Sequence, residues 1–328
     1  MPSTFAATAA PTADAAATVE LPAGYDLRGT LGIIPRGKQD PTFQTRHDGV
    51  WLAFATVQGP VTLRLASEDA GPGGGADRTV VRALAWGPGA EAALPGLPAL
   101  LGADDDWTAF DRPDFHATLP KLVTDPRRRH RNLRLPSTGR ILDALVPVVL
   151  EQKITTIEAR YSWRYLVSKY GTPAPGPAPA GLKVAPSAEQ WRRVPSWDWH
   201  RAGVDAKRSA TILRACNVAS GLERLAALSP GPELAAKLCS VPGIGPWSAA
   251  EIAQRTHGDP DSVSVGDFHL AAFVGYALTG KKTDDAGMLA LLEPWRGHRQ
   301  RVVRMLYLSG FRKPAFGPRL APQDHRFH

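Results

Sequence analysis

The sequence predicts an α+β protein: an N-terminal antiparallel β-sheet domain followed by an all-α bundle of short helices. Three observations carry this. Up to about Leu94 the apolar residues come in short, β-branched runs separated by Gly and Pro, the pattern of strands joined by tight turns. Beyond Leu94 the apolar spacing lengthens towards the helical period. The charge also changes sign near Pro120: residues 1–120 carry 8 Lys and Arg against 14 Asp and Glu, a net of −6, and residues 121–328 carry 31 against 17, a net of +14.

The Ala- and Thr-rich opening, residues 1–20, is expected to be a disordered lead-in. It has no basic start followed by a long apolar run, so it does not read as a secretory signal. Strands are expected at Leu31-Gly32-Ile33-Ile34, at Val50-Trp51-Leu52-Ala53-Phe54 and at Val61-Thr62-Leu63-Arg64-Leu65. A glycine-rich loop at 70–75 follows, and Thr79-Val80-Val81-Arg82-Ala83-Leu84 resumes as strand or helix. Helical spacing then governs 141–154, 156–169, 206–219, 233–241, 247–257, 268–279 and 298–308, and the Pro-alternating stretch 173–179 is a loop. No repeat period of about 20 to 50 residues recurs, which argues against a solenoid. The expected division is a lead-in over 1–20, a sheet domain over 21–120 and helical domains over 121–328.

With 328 residues, 43% hydrophobic and 21% charged, the chain can bury cores for two or three domains. No run approaches the roughly 18 to 20 apolar residues that cross a bilayer. The two cysteines, Cys216 and Cys239, are too few for a disulfide framework, a four-Cys zinc site or an iron–sulfur cluster. The histidines show no metal-ligand spacing, so no catalytic metal and no cofactor are expected. A monomer in the cytoplasm is the expectation. The basic C-terminal part fits a polyanion, nucleic acid first and anionic membrane second; solvated surface arginine is the alternative.

The most informative segment is Leu238-Cys-Ser-Val-Pro242-Gly243-Ile244-Gly245-Pro246-Trp247, in which two apolar-periodic helices meet at Pro242, Gly243, Ile244 and Gly245. The glycines permit a tight turn and close backbone approach, and Pro246 suits the first position of the next helix. Such a helix–hairpin–helix directs free backbone N–H groups and a positive helix end outward, a place for a phosphate; the alternative is a plain αα connection with a glycine cap. Twenty residues after Trp247, Val265-Gly266-Asp267-Phe268-His269-Leu270 opens another apolar helix. Taken alone, Asp267 is an N-cap.

The hairpin followed at this interval by Gly-Asp resembles the helix–hairpin–helix DNA glycosylase superfamily. Tyr25-Asp-Leu-Arg-Gly-Thr-Leu-Gly-Ile-Ile34 resembles the opening strand of its alkylpurine, AlkA-type 3-methyladenine glycosylase branch. Leu135-Pro-Ser-Thr-Gly139, Leu150-Glu-Gln-Lys-Ile-Thr155, Asp205-Ala-Lys-Arg-Ser209 and Pro294-Trp-Arg296 are similar to further segments of that branch. The resemblance implies a sheet domain followed by a glycosylase bundle that acts on damaged double-stranded DNA. It implies Asp267 as the catalytic carboxylate, stabilising an oxocarbenium-like transition state and orienting or deprotonating water.

Trp247 stands where bifunctional members carry a Schiff-base lysine, and an indole cannot form that adduct, so monofunctional hydrolysis is expected. Trp247 either stacks beside the lesion or packs in the core. The loop that fills the gap left by a flipped base is matched by Gln152, Lys153 and Ile154, with Ile154 or the Lys153 stem as wedge, or Ile154 packing inward. Lys207 and Arg208 are candidate phosphate contacts or a solvated helix face. The run Arg127-Arg128-Arg129-His130-Arg131 is expected to be solvated or near DNA. Glu251 and Arg304 stand near positions where alkylpurine members often place aromatic rings; they either make a polar base pocket or a salt bridge tying two helices. The reading is a monofunctional glycosylase releasing a damaged, alkylated purine. A non-catalytic lesion- or structure-recognising DNA-binding protein is the second reading, and an oxidised-purine glycosylase the third.

Overall fold

The computed structural model describes residues 12–69 and 78–314. Strands β1 (Ala15–Pro22), β2 (Phe43–Arg46), β3 (Gly49–Thr56), β4 (Gly59–Asp69) and β5 (Arg78–Trp86) form one antiparallel sheet in the order β1-β5-β4-β3-β2. Alternation along the strands sends Val50, Leu52 and Phe54 of β3, with Val61, Leu63 and Leu65 of β4, into a core closed by the short helix α1 (Leu27–Leu31) and by Ala90, Ala93, Leu97 and Leu100. Trp51 and Ala53 point to the other face, where Trp51 stacks on Trp86 and both pack against Leu182 and Val184.

The helices numbered from here are α2 (Lys121–Arg129), α3 (Ile141–Leu150), α4 (Thr156–Tyr170), α5 (Ala206–Asn217), α6 (Pro232–Cys239), α7 (Pro246–Thr256), α8 (Leu270–Thr279), α9 (Asp285–Leu292) and α10 (Arg299–Leu308). They build two cores. One gathers the apolar faces of α3, α4, α5, α6 and α7 around Leu145, Leu166, Ile212 and Leu238. The other gathers α2, α8, α9 and α10 around Val123, Val274, Met288 and Val302. Helix α7 belongs to the first core and α8 to the second, so the segment joining them crosses the seam between the two.

Three expectations change. Of residues 1–20, those from Ala15 on are an edge strand paired with β5 from Ala15–Ala85 to Pro22–Arg78 rather than a disordered lead-in; the remainder of that stretch up to residue 11 lies outside the described residues. Its sequence gives little warning, because an edge strand exposed at every second position needs little apolar content. The strand expected at Leu31-Gly32-Ile33-Ile34 does not form: Leu27–Leu31 is a helical turn, which Asp26 caps by accepting the Gly29 amide at 2.8 Å, and Ile33 and Ile34 lie in the turn and bend after it. Trp107, Phe110 and Leu119 pack with α8, α9 and α10, so the segment before Pro120 joins the helical part. The loop expected at 70–75 lies outside the described residues. No described helix is long and apolar enough to cross a membrane.

Candidate active site

The hairpin forms between α6 and α7 as the motif demands. Gly243 has φ +101°, and a Cβ there would lie 2.2 Å from Thr211 Oγ1 on α5, so both conformation and space require glycine. Ile244 is buried and anchors the turn, Gly245 caps α7, and Pro246 occupies its first turn. The first amides of α7 have no carbonyl one turn ahead and remain available to an anion. Pro242 and Gly243 are exposed, and their carbonyls accept from Arg214 Nε (3.1 Å) and Gln152 Nε2 (3.0 Å).

Gln152 also donates to Ser248 Oγ at 2.9 Å. Its side chain ties the hairpin to the loop after α3. Lys153, at the exposed tip of that loop, has φ +57°, and among the described residues no other non-glycine has a positive φ. An L-residue held there stores strain, a common feature of functional loops. Ile154 is half-buried, whereas Ile157, in the first turn of α4, is 66% exposed. Thr155 and Glu158 close a capping box that fixes where the loop ends.

Of the two candidate phosphate contacts, Lys207 is exposed and Arg208 is not. Arg208 donates to Asp205 Oδ2 (2.7 Å), to the Leu150 carbonyl (3.0 Å) and to the Gly203 carbonyl (2.8 Å). Its fork is consumed in fastening the C-terminal end of α3, the end from which the loop of Lys153 departs. Arg127, expected in a solvated basic run, is likewise buried: it pairs with Asp111 and lies over the Trp107 ring. Arg128, Arg129 and Arg131 stay exposed.

Asp267 sits on the seam between the two helical cores. Its Oδ1 accepts the amides of His269 and Leu270, each at 2.8 Å, so it does cap α8. Its Oδ2 faces the Trp247 indole N–H at 3.3 Å. Cap and candidate catalyst are thus one group, with the amides fixing the carboxylate's orientation. The loop before it is pinned from two sides. Ser264 donates to Glu251 and Gln254 holds Ser262 and Ser264, both from α7, while Asp285 of α9 accepts the Gly266 amide at 3.1 Å.

The expected Glu251–Arg304 salt bridge does not form. Glu251 pairs within its own helix with Arg255 at 2.8 Å, four residues on. Burial works to raise the Glu251 carboxyl, but Arg255, the Ser264 hydroxyl and Arg36 outweigh it and hold it below the ordinary glutamate range. Arg304 turns instead to the N-terminal domain, donating to the Gly29 carbonyl at 3.0 Å. One residue close enough to feel the charges of Asp267 and Glu251 escaped the sequence reading. Tyr307 lies one turn beyond Arg304 and stacks on Phe273 of α8, centroids 4.7 Å apart. Desolvation, and then the charges of Asp267 and Glu251, push its hydroxyl above the usual tyrosine value, so it stays a neutral donor. The signal was present as an aromatic at i+3 from Arg304 on the last long helix. Phe268, 81% exposed beside Asp267, was also passed over.

No protein-family model matches the sequence. A curated relative from Mycobacterium tuberculosis (strain H37Rv), named a probable bifunctional transcriptional activator/DNA repair enzyme AlkA, is 30% identical over 247 residues, covering 68% of this chain and 49% of the relative. The chain thus spans about half the length of that protein. Among solved structures, a 3-methyladenine DNA-glycosylase from Archaeoglobus fulgidus superposes with a TM-score of 0.71 at 15% identity, over 90% of this chain and 98% of that one. An 8-oxoguanine glycosylase/lyase from Clostridium acetobutylicum superposes with a TM-score of 0.62 at 10% identity, over 87% and 93%. At such identities the two structures speak for the fold alone; the sequence match supplies the kinship. The chain belongs to the helix–hairpin–helix DNA glycosylase superfamily, in its AlkA-type branch.

Proposed function

We propose that the chain is a monofunctional DNA glycosylase that binds damaged double-stranded DNA as a monomer, flips a damaged purine and hydrolyses its N-glycosidic bond. The observation that carries this is Asp267, oriented by two amides and by the Trp247 indole on the seam beside the hairpin. As the C1′–N9 bond lengthens, its electron pair leaves with the base and positive charge grows on the sugar. A fixed carboxylate stabilises that charge without reorganising. Water adds to C1′, and its proton passes to Asp267 or to solvent.

The loop of Lys153, strained and exposed, is suited to enter the gap left by the flipped nucleotide, with Ile157 beside it. The hairpin amides and Lys207 are suited to hold the strand by its phosphates. The name of the A. fulgidus protein, a 3-methyladenine DNA-glycosylase, supports an alkylated purine as the substrate class, and that of the M. tuberculosis protein supports a role in DNA repair. Trp247 in place of a nucleophilic lysine supports hydrolysis without strand cleavage.

The test is base release from methylated duplex DNA with and without alkali, and with borohydride present. Free 3-methyladenine, strand breaks only after alkali and no trapped protein–DNA adduct are expected. Breaks without alkali together with a trapped adduct would overturn the monofunctional reading, and no release would overturn the glycosylase.

A further inference from the structure

The tip of the Lys153 loop is exposed, yet the residues at its root are held by side chains from three directions. Arg208 of α5 donates to the Leu150 carbonyl, Gln152 donates to the hairpin, and Arg36 donates to Glu151 Oε2 at 2.9 Å. The third hold comes from the sheet domain, where Arg36 lies in the loop between α1 and β2. Its side chain is 5% exposed, and its second terminal nitrogen reaches the Ala144 carbonyl of α3 at 3.4 Å. A buried ion pair of this kind adds little net stability, because taking both charges out of water costs about what their attraction returns. It does fix geometry. Glu151 is the C-terminal cap of α3, two residues before the left-handed Lys153.

The same loop of the sheet domain also grips α4, on the far side of Lys153. Asp40 is buried and accepts the Arg36 amide at 2.6 Å and the indole N–H of Trp163 on α4 at 3.1 Å. Gln39 accepts from Arg164 of α4 at 2.6 Å. Gly37, at φ +96°, lies so close to Arg160 of α4 that a Cβ there would stand 2.9 Å from its Cδ. Residues 36–40 therefore clasp both helices between which the Lys153 loop is strung. A loop that keeps an L-residue at positive φ persists only where its surroundings over-determine it. A wedge needs the same rigidity, since a loop that gives way cannot offset the cost of unstacking and unpairing a base.

We propose that Arg36 is a positioning residue for base flipping: through Glu151 it fastens the sheet domain to the root of the Lys153 loop and holds that wedge in its strand-entering shape before DNA arrives. The sheet domain thereby takes part in opening the duplex and not in the chemistry at Asp267. This rests on the glycosylase reading above, with the Lys153 loop as its wedge.

The experiment uses single-turnover release of 7-methylguanine, a cationic alkylated purine, from two duplexes. In one the lesion is paired with cytosine; in the other it stands unpaired in a single-nucleotide bulge, where unpairing is already paid for. A third duplex carries 2-aminopurine, whose fluorescence rises on unstacking, beside an uncleavable 2′-fluorinated 7-methylguanine nucleotide. Wild type is compared with Arg36→Met, Arg36→Lys and the double variant Arg36→Met/Glu151→Met. Expected in Arg36→Met are a loss of about ten- to a hundredfold on the paired lesion, little loss on the bulge and a smaller fluorescence rise, with part of each recovered in Arg36→Lys. The double variant leaves no buried charge unpaired, so it should keep the wild-type melting temperature and still lose flipping, and it carries the test if Arg36→Met does not fold. Equal losses on the paired and bulged lesions, or wild-type release and fluorescence in the double variant, would make the pair a structural tie and overturn the inference while leaving the glycosylase intact. If the wild type releases the base from neither duplex, the glycosylase reading fails. The fluorescence then decides the flipping claim separately: a wild-type rise that Arg36→Met loses supports it, and no rise, or an equal rise in both, overturns it.

Discussion

Gly243→Ala probes the turn on which the proposed strand grip depends. The backbone there has φ +101°, a conformation that costs a side-chain-bearing residue about 1–3 kcal/mol. The new methyl would also stand 2.2 Å from Thr211 Oγ1 and 2.8 Å from its Cγ2, inside any ordinary contact, and overpacking of this kind costs about another 1–3 kcal/mol. Thr211 cannot swing aside cheaply: it is buried, donates to the Lys207 carbonyl and accepts from Arg214. At roughly 2–4 °C per kcal/mol for a chain of this size, the melting temperature should fall on the order of 5–20 °C. DNA affinity, read by fluorescence anisotropy at fixed salt, should fall at least about tenfold as the phosphate-facing amides are displaced. Adding Thr211→Ala removes the clash and leaves the φ penalty, so a double-mutant cycle should return a favourable coupling of about 1–3 kcal/mol. Wild-type melting and affinity in Gly243→Ala, or strict additivity in the cycle, would refute the reasoning.

Three further outcomes follow from the same geometry. Gln152→Ala cuts the bridge to Gly243 and Ser248, worth about 0.5–1.5 kcal/mol per hydrogen bond, and should weaken DNA binding with only a small drop in melting temperature; unchanged affinity counts against the tie. Lys153→Gly relieves the positive φ and should raise stability by about 1 kcal/mol in denaturant titrations while weakening DNA binding, so a less stable variant contradicts the strain argument. Asp198 is held down to about 2 by its hydrogen bonds from Lys169 and Tyr170. Because its folded pKa lies below its unfolded one, its stabilisation is complete above about pH 4 and is lost as pH falls towards 2. Melting curves of Asp198→Asn should be flatter across that window than those of wild type, and identical slopes would discount the cluster.

Much of this was legible in the sequence because it is written in local chemistry. Pro242-Gly243-Ile244-Gly245 needs only its own backbone constraints to form a hairpin, and Asp267 marks a helix start that the structure caps as the residue type requires. What escaped depends on partners distant in the chain. Arg208 and Lys207 are adjacent and alike in sequence, yet the helix turns one to solvent and the other onto the Leu150 and Gly203 carbonyls. Glu251 was weighed against Arg304, but Arg255, four residues away on its own helix, takes it. Residues 15–20 read as part of an Ala- and Thr-rich lead-in because half of an edge strand faces water, and only the free edge of β5 reveals their place. Tyr307 was overlooked because its relation to Asp267 exists only after α8 and α10 pack.

The central claim is that Asp267 performs chemistry beyond capping α8. Single-turnover base release from methylated duplex DNA, with affinity measured on the same preparations, compares wild type with Asp267→Asn, whose side-chain oxygen can still accept the His269 and Leu270 amides. The account predicts release by the wild type and a loss in Asp267→Asn of about a hundredfold to ten-thousandfold, with folding and DNA affinity retained. Release by Asp267→Asn at the wild-type rate would reduce Asp267 to a helix cap and contradict the mechanism.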